Sequence, residues 1–197
     1  IKNKRACSFG NIGTTSFFPA KPLGGYGDGG AIFTNDSETA EKLISIRNHG
    51  QGKSKYNNIR IGLNGRLDTI QAAILIEKLI EFPVEVENRN KVASFYRDIY
   101  ENVLFTPNVP NGFSSSWAQY TIVSEAREKE IDKLKSQGVP TVIYYGTCMH
   151  QQSAFKLLGY KVGDFPIAEK LSREVFSLPM SGYINEEQLK RYYKVTL

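Results

Sequence analysis

The feature that most narrows the fold of this chain is a glycine-rich loop set between two short apolar runs. Thr14-Thr15-Ser16-Phe17-Phe18 is β-prone and is stopped by Pro19, and Ala31-Ile32-Phe33-Thr34 reads as a second, buried strand. Between them, Ala20 to Gly30 is a loop by every turn signal. Its Gly25-Tyr26-Gly27-Asp28-Gly29-Gly30 satisfies G-x-G-x-x-G, a pattern that marks dinucleotide binding only when a strand precedes it and a helix follows. Here a Lys-Pro loop precedes and a strand follows, so that reading fails; a complete Walker phosphate-loop pattern is likewise absent. The glycines predict several positive φ angles and a close backbone approach to some other group. Lys21 stands at the mouth of this loop, flanked by Pro19 and Pro22. A lysine desolvated there would be nucleophilic toward carbonyls, whereas an exposed one would be an ordinary surface cation.

Charge is uneven. Residues 1–66 hold ten Lys and Arg against four Asp and Glu, with eleven of the 17 glycines, while residues 67–197 hold fifteen against sixteen. Cations and backbone amides together suit an anionic small ligand; a solvated basic face or a nucleic-acid footprint would give the same balance, but no recognition motif accompanies it. Two cysteines, Cys7 and Cys148, and two histidines, His49 and His150, match neither a disulfide framework nor a zinc site. No run of eighteen apolar residues occurs, and the basic first residues lack the apolar stretch of a secretory signal. A reducing, cytoplasmic setting is expected.

Asn35-Asp36-Ser37 predicts a cap for a helix over Glu38 to Asn48, followed by a glycine-punctuated loop from Gly50 to Gly65. Asp68 and Gln71 have the spacing of a capping box. The helix they would open, Ile70 to Glu81, is apolar nearly all round and is expected to be buried. Pro83 is expected to interrupt or kink it, with an amphipathic helix restarting over Glu85 to Asn102. Beyond, strands are expected at Gln119–Val123 and Thr141–Tyr145, and helices at Glu128–Gln137 and Phe165–Phe176. The division that follows is residues 1–84 as part of a larger α/β domain, 85–104 as a connecting helix, and 105–197 as a small α/β domain. The chain ends inside an apparent helix and reads as a piece of something longer.

Ser16-Phe17-Phe18-Pro19-Ala20-Lys21-Pro22-Leu23-Gly24-Gly25-Tyr26-Gly27-Asp28-Gly29-Gly30-Ala31 closely resembles the lysine segment of the DegT/DnrJ/StrS family of pyridoxal-phosphate-dependent nucleotide-sugar aminotransferases. The resemblance continues through Arg47-Asn48-His49-Gly50, Gly62 to Asp68 and Gln71-Ala72-Ala73. It resumes at Gly138 to Thr141, Tyr144-Tyr145, His150, Phe155, Phe165 to Glu169 and Ser177 to Met180. It implies an α/β fold of the fold-type I, aspartate aminotransferase-like kind: the C-terminal half of the large domain plus the small domain. It further implies pyridoxal 5'-phosphate as cofactor, with Lys21 as its Schiff-base lysine and Ser16 as a ligand of its phosphate. Asn64 would reach the phosphate of a neighbouring subunit's cofactor, because the family builds its sites across a dimer interface. Arg66, Tyr145 and His150 would face the substrate; where the family has Tyr-Pro-x-Pro-Leu-His, this chain has Tyr145-Gly146-Thr147-Cys148-Met149-His150.

The activity so implied is transfer of an amino group from an amino acid, L-glutamate, to a nucleotide-linked keto-sugar, in surface polysaccharide or amino-sugar biosynthesis. The wording around Lys21 is most similar to relatives that aminate C3. The family's pyridinium-binding acid and ring-stacking group would lie upstream of Ile1, so the 197 residues alone are expected to be an incomplete enzyme. Alternatives are a related sugar dehydratase, against which the lysine at position 21 argues, or a non-catalytic, regulatory relative.

Overall fold

The computed structural model describes residues 4–101 and 104–193. The chain divides into two compact units, Ile1–Pro83 with Asn111–Ser114, and Val84–Pro110 with Ser115–Leu197.

In the first unit, β1 (Gly13–Ser16) pairs antiparallel with β2 (Gly30–Phe33), in a register that sets Ser16 opposite Gly30. The glycine-rich loop is therefore the connection of a wide hairpin. α1 (Ser37–Arg47) starts where expected, because the Asp36 side chain accepts the Thr39 N–H at 2.8 Å. That bond holds the Asp36 carboxyl below its ordinary pKa. α1 ends on His49 and Gly50, both with positive φ, and the Gly50 N–H returns to the Ser45 carbonyl. A side chain on Gly50 would run into the Arg60 carbonyl, since the chain doubles back there.

α2 (Thr69–Tyr100) departs from the sequence reading in three ways. It is a single helix of 32 residues with Pro83 inside it, so of the two outcomes expected at the proline, interruption or a kink, interruption does not occur. Proline removes one bond from the ladder, but the turns after it are fixed by burial of Glu85, Arg89, Val92, Ala93 and Tyr96 in the second unit. Its first half is not buried: Leu75 is, whereas Ile70, Ile76, Leu79 and Ile80 are 55–73% exposed. The cause is the small amount of cover that two short strands and one helix provide. Finally, Gln71 does not close a capping box; its carboxamide reaches the glycine loop instead.

In the second unit, β3 (Tyr120–Val123) pairs antiparallel with β4 (Val175–Leu178). α3 (Arg127–Ser136), two 3-10 turns (Met149–Gln151 and Ser153–Leu158), α4 (Pro166–Glu174) and α5 (Glu186–Tyr193) complete it. The core is Val92, Ala93, Tyr96 and Tyr100 of α2 against Tyr120, Ile122, Leu134, Val139, Phe176, Leu178 and Tyr192. Tyr96 satisfies its hydroxyl by donating to the Pro179 carbonyl at 2.7 Å. The helix expected over Phe165–Phe176 stops at Glu174, because Val175 and Phe176 join β4 and its pairing with β3. The strand expected at Thr141–Tyr145 reduces to one bridge, Val142 with Ser177. The Val142, Tyr144 and Tyr145 side chains lack the apolar cover a strand face needs. Of the terminal helix, residues 194–197 lie outside the described residues. Among those described, no helix is long and apolar enough to cross a membrane.

Candidate active site

Ser16 is the last residue of β1, and its Oγ accepts the Phe18 N–H at 3.2 Å. The chain then turns tightly, with the Lys21 N–H donating to the Phe18 carbonyl at 2.8 Å. This brings Ser16 and Lys21 onto one turn. The Lys21 side chain is exposed, and among the described residues no hydrogen bond or ion pair occupies its ammonium. The desolvation considered from sequence is therefore not seen in this chain.

The loop glycines differ from expectation in one respect. None of Gly24, Gly25, Gly27, Gly29 or Gly30 has φ in the left-handed region. Close approach alone requires them: a Cβ on Gly24 would lie 2.6 Å from the Pro19 carbonyl oxygen, and one on Gly25 would lie 2.9 Å from Gln71 Oε1. Gln71 Oε1 accepts the Tyr26 N–H at 2.7 Å, and Lys78 Nζ donates to the Gly24 carbonyl at 2.6 Å. Both residues escaped sequence reasoning as site components. The signal was present, since positions 71 and 78 fall on one helix face, two turns apart.

Asn64 and Arg66 are brought together: Arg66 Nε donates to Asn64 Oδ1 at 3.1 Å, and both side chains are exposed. Asn64 bridges to Asn48, and the Gly65 N–H donates to the Arg47 carbonyl. The two motifs Arg47–Gly50 and Gly62–Arg66 are thus one structure, the second laid across the end of α1. Within the described residues, no hydrogen bond joins Asn64 or Arg66 to Ser16 or Lys21.

In the second unit, a cavity of about 920 Å³ is walled by aromatic and aliphatic side chains, Tyr144, Tyr145, Phe155 and Phe165 among them, and includes His150. The Tyr145 ring is well exposed beside Tyr144. His150 is not: its Nε2 meets Glu169 Oε1 at 3.1 Å, and the two side chains are 7% and 5% exposed. The His150 ring also packs on Phe165, with centroids 4.8 Å apart. Glu169, in the first turn of α4, accepts the Gly163 N–H at 2.8 and 3.0 Å and the Phe165 N–H at 3.3 Å. These donors, Gly163 foremost and His150 after the backbone groups, hold its carboxyl below the ordinary Glu range. Sequence reading assigned Glu169 no role. An acid in the first turn after Pro166 was the available signal. Cys148 is buried and free.

The family model for the DegT/DnrJ/EryC1/StrS aminotransferase family matches residues 1–195. The chain is 43% identical over 190 residues to the UDP-2-acetamido-2-deoxy-3-oxo-D-glucuronate aminotransferase of Pseudomonas aeruginosa, covering 96% of this chain and 52% of that protein. It is 44% identical over 183 residues to the pleiotropic regulatory protein of Geobacillus stearothermophilus, covering 91% and 49%. Among solved structures, a DegT DnrJ EryC1 StrS aminotransferase from Brucella abortus superposes with a TM-score of 0.93 at 45% identity, covering 99% of this chain and 52% of that one. The chain spans about half the length of the curated relatives it matches. Its α/β fold is that of the fold-type I pyridoxal-phosphate-dependent enzymes. On the sequence match along residues 1–195 and the shared fold, the chain belongs to the DegT/DnrJ/EryC1/StrS aminotransferase family.

Proposed function

We propose that the protein is a pyridoxal 5'-phosphate-dependent aminotransferase that transfers the amino group of L-glutamate to a nucleotide-linked keto-sugar, at C3. The observation that carries this reading is Lys21: its side chain is exposed, no hydrogen bond or ion pair among the described residues takes its ammonium, and a tight turn from Phe18 fixes its backbone five residues after Ser16. Relatives at 37–43% identity are named as sugar aminotransferases, which supports an aminotransferase rather than a dehydratase, and the Pseudomonas relative is named for a 3-oxo sugar.

The residues present fit the cofactor by their donor chemistry. Ser16 Oγ is used as an acceptor, which leaves its O–H to donate to a phosphate oxygen. Asn64 has its oxygen engaged by Arg66, which leaves its Nδ2 to donate in the same way, here to a partner subunit's cofactor in a cytoplasmic homodimer. When bound, pyridoxal phosphate supplies the electron sink that lets the α-proton of an amino acid leave. Lys21 Nζ anchors the cofactor, takes that proton from the donor Cα, and delivers one to the sugar carbon that receives the amine. Arg66 binds substrate anions, and the excess positive charge of residues 1–66 draws in carboxylate and diphosphate groups. Tyr145 offers a face for the nucleotide sugar, and His150, engaged with Glu169, shapes the wall beside it.

The test, on the whole protein to which these residues belong, is borohydride reduction with peptide mapping, followed by turnover with glutamate and a UDP-linked 3-keto sugar. A pyridoxyl group on Lys21 and amine transfer support the reading. A label at Lys53 or Lys55 would sink it. The Geobacillus relative's name gives a second reading, a regulatory member without catalysis, and absence of turnover in a labelled protein would favour that one.

A further inference from the structure

One face of α2 is bonded to the glycine loop. Gln71, Ile74, Leu75 and Lys78 recur at three- and four-residue spacing and are buried or half-buried in a stretch where Ile70, Ile76, Leu79 and Ile80 are exposed. Two of them, Gln71 and Lys78, bond to the loop between Lys21 and β2. That loop closes on its own start through Gly25 N–H to the Phe17 carbonyl and Phe17 N–H to the Gly29 carbonyl, each at 2.8 Å. Two further polar groups of its main chain are taken by α2: the Tyr26 N–H by Gln71 Oε1 and the Gly24 carbonyl by Lys78 Nζ. Gly25 and Gly27 make this possible. A Cβ on Gly25 would lie 2.9 Å from Gln71 Oε1, and one on Gly27 would lie 3.2 Å from Nε2. Glycine loses more freedom on ordering than any other residue, so a loop of this composition needs outside contacts to hold one shape.

We propose that Gln71 and Lys78 are positioning residues that clamp the glycine loop onto α2 and thereby fix Lys21 at the loop's entrance. The proposal rests on the reading of Lys21 as the cofactor lysine. Lys78 adds a cation near the Tyr26 ring, 5.8 Å from its centroid, on the residue whose N–H Gln71 holds. The two contacts grip adjacent stretches of one loop from a rigid helix, an arrangement that transmits to Lys21 through Pro22 and Leu23.

Amide hydrogen exchange in the wild type, Gln71→Leu, Gln71→Glu and Lys78→Met tests the clamp. In Gln71→Leu the Tyr26 amide should exchange about tenfold faster, the loss of one hydrogen bond. In Gln71→Glu it should stay near wild type, because a carboxylate oxygen still accepts. With pyridoxal phosphate bound, Gln71→Leu should shift the pH midpoint of the visible band of the Lys21–cofactor bond and lower kcat about tenfold with the KM for glutamate little changed. Unchanged exchange at Tyr26 in Gln71→Leu would overturn the proposal, as would faster exchange with an unmoved midpoint and kcat. If Gln71→Leu does not fold, Lys78→Met decides: loop amides exchanging as in wild type would overturn it. Failure of the underlying reading shows differently. Wild-type Lys21 would then take no pyridoxyl label, while the loop amides would still separate Gln71→Leu from Gln71→Glu, leaving the clamp supported.

Discussion

Glu169 is the single acceptor on which His150, Gly163 and Phe165 converge, with His150 Nε2 3.1 Å from its Oε1. One carboxylate thus ties both flanks of the segment between the 3-10 turns and α4 to the first turn of that helix. Replacing it with alanine leaves His150, whose side chain is 7% exposed, and two backbone donors without their acceptor. Glu169→Ala should lower the Tm by several degrees and loosen residues 146–165 in hydrogen exchange, with Glu169→Gln intermediate. The pH dependence has a definite sign. A carboxyl whose folded pKa is depressed contributes stability that is full above its unfolded value and is lost as the pH falls through the folded one. Wild type should therefore lose stability on acidification below the ordinary Glu range more steeply than Glu169→Gln. Parallel acid-unfolding curves would show that the carboxylate's charge is not what the site uses.

Lys21→Ala separates chemistry from folding. The side chain is exposed and bonds to nothing among the described residues, so its loss should leave the Tm within about a degree or two, as for other surface substitutions. Transamination should fall by at least about 10²-fold, the contribution of a positioned general base, and by more because the covalent anchor is lost as well. Lys21→Arg, which keeps the charge and cannot form the bond, should be as inactive as alanine. Activity retained in Lys21→Arg would remove Lys21 from the reaction.

How much was legible beforehand depended on how local the determinants were. β1, β2 and α1 were readable because Pro19, the glycines and the Asp36 cap act within a few residues of what they control. The continuity of α2 through Pro83 was not, since it is enforced by burial of Glu85, Arg89 and Tyr96 against segments about 30 to 100 residues away. β4 was hidden inside an apparent helix because its pairing partner, β3, lies over fifty positions earlier. In the candidate site, Lys21 stood out by its place at a proline-flanked loop, and Ser16 only through the resemblance of the whole segment to the family. Gln71 and Glu169 did not, because each works through its oxygen on distant or irregular backbone N–H groups that no periodicity marks.

Asn64 and Arg66 make a pair at the surface, Arg66 Nε on Asn64 Oδ1 at 3.1 Å, in a strap pinned to the end of α1. Neither bonds to Ser16 or Lys21 among the described residues, and the role proposed for both is on a partner subunit's site. Mixing Lys21→Ala subunits with Arg66→Ala subunits should then restore part of the activity, because one site of each heterodimer would hold both wild-type residues. About a quarter of wild-type activity is the upper limit for free exchange at equal amounts, from half the dimers being mixed and one of two sites intact in each. No recovery after proven subunit exchange would place Arg66 in its own subunit's site or outside it.

Within the second unit a buried ion pair links α2 to two loops, and removing one half of it should cost more than removing both. Arg89 Nη2 lies 2.8 Å from Glu85 Oε1, and the side chains are 9% and 8% exposed. Arg89 Nε also bonds Glu85, and Nη1 reaches the Trp117 carbonyl at 3.0 Å and, more weakly, the Met180 carbonyl at 3.4 Å. The pair therefore ties the turn after Pro83 to two separate loops. Arg89→Met keeps much of the volume and leaves the Glu85 carboxylate buried without its counterion, an arrangement that costs about 3–5 kcal/mol. The doubly substituted Glu85→Leu, Arg89→Met removes the stranded charge, and similar replacements of buried pairs are often neutral. Here the Trp117 and Met180 carbonyls would still lose their donor, about 1–3 kcal/mol for each buried group left unsatisfied. Recovery should therefore be partial. Urea unfolding of the single and double variants measures it: the double should lie above Arg89→Met and below wild type. A double variant no more stable than Arg89→Met would mean that the loop carbonyls, and not the uncompensated carboxylate, set the cost.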